Sequence, residues 1–318
     1  MRSPQAPTVR WSSRYHSPVL VADVLELLHG KRTVLDGTLG GGGHSLALLE
    51  HGAMVTALDR DPQAVAEARE RLRSFVASGQ FHPLLGNFAD IDHIDTLAGA
   101  SFDGILLDLG VSSHQLDETS RGFSFREGAP LDMRMAGGIE PTPSAAELLD
   151  EADERELVHI FRQYGDEPAA PRLAREIVRR RATRSFRTSD DLVNAIRAVL
   201  GARAGPGDFA RLFQAVRIAV NDEMSTLERA LPALRDRLVE GGVLAVIAYH
   251  SGEDRLVKHA FREWSASCVC PPRQPLCSCR GRSLGETLTR KARTAAGEEI
   301  AGNPRARSAR LRAWRRNA

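Results

Sequence analysis

Hydrophobic positions along the chain fall into two patterns. Short apolar runs that stop at polar or acidic residues occur at Val34-Leu35 before Asp36, Met54 to Leu58 before Asp59, and Ile105 to Leu107 before Asp108. A further run at Phe81 to Leu85 precedes Gly86 and Asn87, and another from Val243 to Ala248 follows the Gly241-Gly242 turn. Runs of this length bounded by turn residues predict five strands. The unbroken Ile105 to Leu107 predicts burial on both faces, as in a parallel sheet. Between the runs, apolar residues recur at helical spacing from Val21 to Leu28. The stretch Ala64 to Phe75, opened by Asp61-Pro62, predicts a helix because proline suits a first helical position. Helices are also expected over Glu228 to Leu238 and from Glu253 through Phe261, and two last strands over 286–290 and 308–314. Residues 1–15 read as a loose lead-in, and His16 beside Pro18 as a capping or packing histidine.

From Ser144 to about Val220 the pattern is helical throughout. Ser144-Ala-Ala-Glu147 is a capping box, and four segments follow at Glu151 to Tyr164, Pro171 to Arg181, Ser189 to Leu200 and Phe209 to Val220. The strand–helix alternation resumes afterwards. The expected architecture is therefore α/β: one sheet domain formed by 1–140 and 216–318, interrupted by an inserted helical domain over 141–215.

The first strand leads into Asp36-Gly-Thr-Leu-Gly-Gly-Gly-Gly-His44, and a helix opens near Ser45. Four consecutive glycines let a ligand lie against bare main chain, and a helix start offers unpaired N–H groups. The acid closing the next strand, Asp59, stands where a carboxylate accepts from ribose hydroxyls. Together they point to a nucleoside-type site. The dinucleotide fingerprint wants a third glycine where this chain has Ser45, which weakens a nicotinamide-cofactor reading. Asp108, Ser112, Ser113 and Gln115 follow the fourth strand, His250 follows the fifth, and Phe88 lies just past the third. In open α/β sheets ligands bind beyond these carboxyl ends. The stretch from Arg121 to Met135 carries Phe123 and Phe125 and reads as a surface loop or a lid, its two phenylalanines either stacking on a base or filling a satellite core.

Charge changes the picture at two places. The net charge is +2, yet residues 271–318 carry 12 Lys/Arg against 3 Asp/Glu. Arg172, Arg175, Arg179, Arg180, Arg181, Arg184 and Arg187 crowd one helix and the loop after it. Either cluster suits a polyanion, or a solvated face. No apolar run approaches the ~20 residues that span a bilayer, and no leader-like apolar core follows Met1, so a cytoplasmic protein is expected. Cys268-Val-Cys270 and Cys277-Ser-Cys279 suggest a metal before they suggest disulfides, but the one-residue gap is shorter than the usual two to four of zinc pairs. No metal ligand is assigned on that basis.

Taken together the motifs resemble the ribosomal RNA small subunit methyltransferase H family. The resemblance rests on Asp36-Gly-Thr with Gly42-Gly-His-Ser, Asp59-Arg-Asp-Pro-Gln-Ala, and Asp103-Gly-Ile-Leu-Leu-Asp-Leu-Gly-Val-Ser-Ser. It continues through Arg121-Gly-Phe-Ser-Phe, Pro130-Leu-Asp-Met-Arg-Met, Phe213-Gln-Ala-Val-Arg-Ile, Asn221-Asp-Glu, His250-Ser with Glu253-Asp-Arg, and Asn303-Pro-Arg-Ala-Arg-Ser. His114 and Gly252 depart from it, standing where the family usually has Pro and Leu.

The resemblance implies a class I methyltransferase fold with a Rossmann-like sheet, S-adenosylmethionine as cofactor, and 16S ribosomal RNA within the small subunit as partner. The acceptor would be the exocyclic N4 amine of a decoding-centre cytosine. Cofactor contacts carry over to Gly42, Gly43, His44, Asp59, Phe88, Asp108 and Gln115. That amine is a weak nucleophile because its lone pair is delocalised into the ring. A group accepting its N–H helps, and a base must take the proton lost on transfer. Asp108 is the first catalytic candidate, with Ser112, Ser113 and His250 behind it. The competing readings are a methyltransferase for another nucleic acid and a non-catalytic RNA-binding assembly factor.

Overall fold

The structure, a computed structural model, describes residues 10–13, 17–271, 274, 276 and 278–318. His16 and Cys277 lie outside the described residues. The chain divides into two compact units: one from residues up to Gly110 together with Thr226–Ala318, the other Val111–Ser225.

The first unit is built on one seven-stranded sheet in the order β3-β2-β1-β4-β5-β7-β6. The strands are β1 Thr33–Asp36, β2 Met54–Asp59, β3 Phe81–Leu85, β4 Phe102–Asp108, β5 Leu238–Ala248, β6 Gly285–Thr287 and β7 Arg310–Arg316. The five from β1 to β5 pair in parallel, and β7 runs antiparallel against both β5 and β6. This is the Rossmann-like sheet expected of a class I methyltransferase. Its strands are apolar on both faces because helices cover both: Val34, Val55 and Leu106 join one core with helix residues Leu48 and Val65. Leu35, Ile105 and Val246 join another with Leu231, Val257 and Phe261.

Local sequence explains most element ends. Asp61 caps the helix Pro62–Arg71 by accepting from the Gln63 N–H. The expected helix to Phe75 breaks at Leu72, and a second short helix spans Arg73–Ala77. Leu238 opens β5 rather than closing the preceding helix, which spans Glu223–Asp236. Among the described residues of the lead-in, Trp11 is buried, and its indole N–H donates to Glu50 at 2.8 Å. The basic C-terminal segment contributes β6 and β7 to the sheet. Arg312 on β7 makes a two-point pair with Asp254, and Arg293 pairs with Asp23 and Glu26.

The second unit is helical, with Ala145–Glu151, Glu154–Gln163, Ala170–Arg181, Ser189–Leu200 and Pro206–Val220 around one core. Leu157, Phe161, Leu173, Ile177, Leu192, Ile196, Leu212 and Phe213 fill it. The capping box at Ser144 and Glu147 is formed as expected. The unit is wider than the predicted insert of 141–215. Phe123, Leu131, Met133 and Met135 bury their side chains in this same core, so residues from Val111 onward belong to it.

That burial also corrects the lid reading of residues 121–135. Asn221 accepts from the Met135 N–H at 2.8 Å and donates to the Met133 carbonyl at 2.8 Å. Arg121, itself buried, donates to the carbonyls of Arg134 and Met135. A Cβ at Gly122 would stand 2.4 Å from the Pro130 carbonyl oxygen, so glycine is what lets the loop fold onto itself. Among the described residues, no helix is long and apolar enough to cross a membrane.

Candidate active site

Three parallel strands end in carboxylates: Asp36 on β1, Asp59 on β2 and Asp108 on β4. Because β1 pairs with β2 on one side and β4 on the other, these ends flank the point where the strand order reverses. Open α/β sheets bind their ligands at such points.

Asp36 is 1% exposed. It accepts from the Ser45 hydroxyl at 2.7 Å and from the Thr38 N–H at 3.2 Å. Burial pushes its carboxyl above the usual range, against the pull of His44 and these hydrogen bonds. Ser45 therefore has a structural reason to stand where the dinucleotide fingerprint wants glycine: its hydroxyl satisfies a buried acid.

Asp59 accepts from the Gly40 N–H at 2.8 Å and the Asp61 N–H at 2.9 Å, one on each oxygen. Desolvation nevertheless dominates and pushes its carboxyl up to about 6. Each oxygen keeps acceptor capacity for a sugar hydroxyl.

The Asp108 side chain is also largely shielded from solvent. Its Oδ1 accepts from the Tyr249 hydroxyl at 2.8 Å, and its Oδ2 lies 3.5 Å from His44 Nδ1. The Asp108 N–H donates to Thr38 Oγ1 at 2.5 Å. Burial, then the nearby Asp108 charge, push the Tyr249 phenol well above its usual range, so it stays a proton donor. His44 Nε2 donates to the Val19 carbonyl at 2.9 Å, because a carbonyl can only accept. A hydroxyl donor on one oxygen and a histidine beside the other flank the Asp108 carboxylate.

The glycine loop is more differentiated than its sequence suggests. A Cβ at Gly43 would stand 2.8 Å from Pro18, and one at Gly42 would stand 3.2 Å from Leu72 and 3.3 Å from Ala68. These two, expected as cofactor contacts, are needed first for packing. Gly40, with φ of +50°, has open space where its side chain would be. It is the bare stretch of main chain that a ligand can approach. Phe88 begins a short 3-10 turn after β3, and its Cβ would lie 3.1 Å from a Cβ at Gly37, so it sits over the end of β1.

His250 caps the helix Ser251–Ser265. Its Nδ1 accepts from the Glu253 N–H at 3.4 Å, which leaves the ring proton on Nε2. Nε2 lies 3.3 Å from Glu253 Oε1 but is too poorly aligned for a hydrogen bond, and among the described residues it is the buried side-chain polar atom without one. In this arrangement His250 offers a donor, not a base.

Ser112, Ser113 and Gln115 belong to the second unit. Ser112 caps the short helix Ser113–Asp117, and Gln115 Oε1 accepts from the Ser112 N–H at 3.0 Å. Ser113 is half-buried as the first residue of that helix. Sequence reasoning missed Tyr249. Its signal was available, since an aromatic hydroxyl at the carboxyl end of a buried strand stands on the ligand-binding rim.

The profile of the MraW methylase family matches residues 13–317. The chain belongs to the MraW methylase family. A protein of Gemmatimonas aurantiaca named ribosomal RNA small subunit methyltransferase H is 64% identical over 310 residues, 98% of each chain. A protein of the same name from Heliobacterium modesticaldum is 47% identical, covering 94% of this chain and 97% of its own. Among solved structures, an rRNA methylase from Streptococcus thermophilus aligns over 94% of each chain with 11% identity and a TM-score of 0.41. Family membership bears out the expected methyltransferase activity and its cofactor, S-adenosylmethionine.

The residues present fit that cofactor. It carries a sulfonium and an amino group, both positive, and the strand ends present three carboxylates. Its ribose needs acceptors, and the Asp59 oxygens have capacity to spare; its approach needs uncovered main chain, and Gly40 is open.

Proposed function

We propose that this chain methylates 16S ribosomal RNA of the small subunit, at the exocyclic N4 amine of a cytosine in the decoding region. The observation that carries the proposal is the set Asp36, Asp59 and Asp108 at the strand-order reversal, in a chain of this family. Bound S-adenosylmethionine supplies an electrophilic methyl group on an already charged sulfur. The protein's part is to hold the amine in line with it, and positioning of that kind lowers a barrier by several kcal/mol or more. Asp59 holds the cofactor's sugar. Asp108, held by the Tyr249 hydroxyl, orients the reacting groups. Gly42, Gly43, His44, Phe88 and Gln115 are assigned to the cofactor, and Ser113 to the acceptor base.

The target base must leave its stack, since a paired amine is closed to in-line attack. The helical unit is assigned to RNA recognition. Phe125 supports this: it is 38% exposed while Phe123 is buried in the core, so Phe125 is the aromatic available for stacking. Phe209 and Phe213 hold it edge-on at 5.9 and 6.0 Å.

The test is methyl transfer from labelled S-adenosylmethionine to unmodified 30S particles, with mass mapping of the modified nucleotide. Label on a cytosine N4 of the decoding region is the expected result. Label on another nucleotide, or on another nucleic acid in preference, refutes the acceptor while leaving the cofactor site intact. Absence of cofactor binding refutes the catalytic reading altogether.

A further inference from the structure

The four cysteines play no part in the proposed reaction, yet the fold gathers those it describes. Sγ atoms of Cys268, Cys270 and Cys279 all lie within 4.8 Å of one another. Cys279 Sγ is 3.8 Å from Cys268 Sγ. That is far beyond a disulfide bond of about 2.05 Å. It equals the edge of a tetrahedron with metal–sulfur bonds of about 2.3 Å, which is about 3.8 Å. The sequence argued against zinc because each pair is separated by a single residue. The structure adds a sulfur from the second pair, so the chelate is closed across the loop as well as within Cys268-Val-Cys270.

A backbone donor meets the cluster. The Val269 N–H donates to Cys279 Sγ at 3.3 Å. N–H donors of this kind stabilise thiolates and orient them, as the outer shell of a metal–thiolate site does. The surrounding chain gives a separate reason for a metal. Among the described residues from 266 to 284 there is no helix or strand. Leu276 is 80% exposed and Val269 41% exposed, so apolar burial does not organise the segment. What holds the described part of this loop is therefore something other than regular structure or apolar burial. Arg280 supplies part of it by donating to the carbonyls of Glu263 and Ala266.

We propose that Cys268, Cys270 and Cys279 hold a zinc ion as thiolates, stapling the loop between the helix Ser251–Ser265 and β6. Thiolate-rich, tetrahedral-sized sites select zinc among the divalent ions. The site is structural. It stands apart from the three strand-end carboxylates in chemistry, and the proposal does not depend on the methyl acceptor.

The experiment uses the full-length chain purified without added chelator and dialysed against a weak one. Elemental analysis is expected to find about one zinc per chain. Replacement by Co2+ is expected to give sulfur-to-cobalt charge-transfer absorption and the strong visible bands of tetrahedral coordination. Cys268→Ser and Cys279→Ser should each reduce retained zinc at least about tenfold, while Ser278→Ala should not. Zinc content unchanged by both serine substitutions, or cobalt spectra lacking thiolate charge transfer, overturns the proposal. A second measurement covers the case of a variant that does not fold. In the unaltered chain, zinc should slow alkylation of Cys268, Cys270 and Cys279, as mapped by mass. Equal alkylation rates with and without zinc overturn it equally.

Discussion

The Tyr249 hydroxyl donates to the Asp108 carboxylate across two neighbouring strand ends, at 2.8 Å. The Asp108 side chain is shielded from solvent, and the donor stays protonated because burial and the carboxylate charge both oppose ionisation of the phenol. A hydrogen bond to a charged acceptor contributes about 1.5–3 kcal/mol. Tyr249→Phe keeps the ring and removes only the donor. Cofactor affinity, measured calorimetrically with S-adenosylhomocysteine, should fall by about tenfold or more, with secondary structure unchanged. Affinity equal to that of the unaltered chain would detach Asp108 from the cofactor.

Asp59 should make cofactor binding depend on pH. Its folded carboxyl lies at about 6 against 3.8 for the free group. The pKa is raised, so the ligand-free fold favours the protonated acid. That contribution to stability is complete below about pH 4 and is lost as pH rises through about 6. Binding runs the opposite way, because ribose hydroxyls donate to the ionised form. Affinity should therefore rise with pH through about 6, by up to tenfold per unit below it, and level off above. In Asp59→Asn the affinity should be lower and flat over the same range. Parallel pH profiles for the two proteins would remove Asp59 from the sugar site.

How much of this was legible in the chain follows from where the information sits. The five parallel strands could be read because buried parallel strands are apolar runs that stop abruptly, and each stop is where the sheet ends. Asp36, Asp59 and Asp108 were visible for the same reason. Their partners were not. Tyr249 meets Asp108 across 141 positions of sequence, and Asn221 meets Met135 across 86. Such contacts exist only once β5 lies beside β4 and the helix Pro206–Val220 lies against the 121–135 loop. The glycine loop misled in a subtler way. A run of glycines announces a close approach, but only the fold shows that Gly43 meets Pro18 and that Gly40 meets nothing. The thiol cluster was hidden because spacing rules compare cysteines along the chain, whereas here the close sulfurs come from different pairs.

Asn221 should be indispensable to the helical unit. Its amide holds Met133 and Met135 at once, and Met133 has a φ of +59° that a side-chain-bearing residue adopts only when held. Asn221→Ala leaves a buried N–H and carbonyl without these partners, at a cost of about 2–4 kcal/mol. The thermal midpoint should drop, and limited proteolysis should cut between residues 121 and 140. A variant that melts lower without new cleavage there would mean the loop is held chiefly by Arg121.

The arginine cluster should act on RNA unequally. Arg172 donates to the Val199 carbonyl and Arg181 to the carbonyls of Leu149 and Ala152, so both serve the fold. Arg179 and Arg180 share Glu176, whose carboxyl they hold down to about 2, so it stays ionised and offsets part of their charge. Arg175, Arg184 and Arg187 are exposed. Changing these three to Ala should weaken RNA binding and flatten the slope of log affinity against log salt by about 2, near the 0.7 per contact typical of single strands. Glu176→Gln should do the reverse, because it frees two guanidinium groups while removing a negative charge from the same helix face. Affinity measured over a salt series decides the matter. A slope unmoved by the triple change, or an affinity lowered by Glu176→Gln, would place the RNA phosphates on another surface.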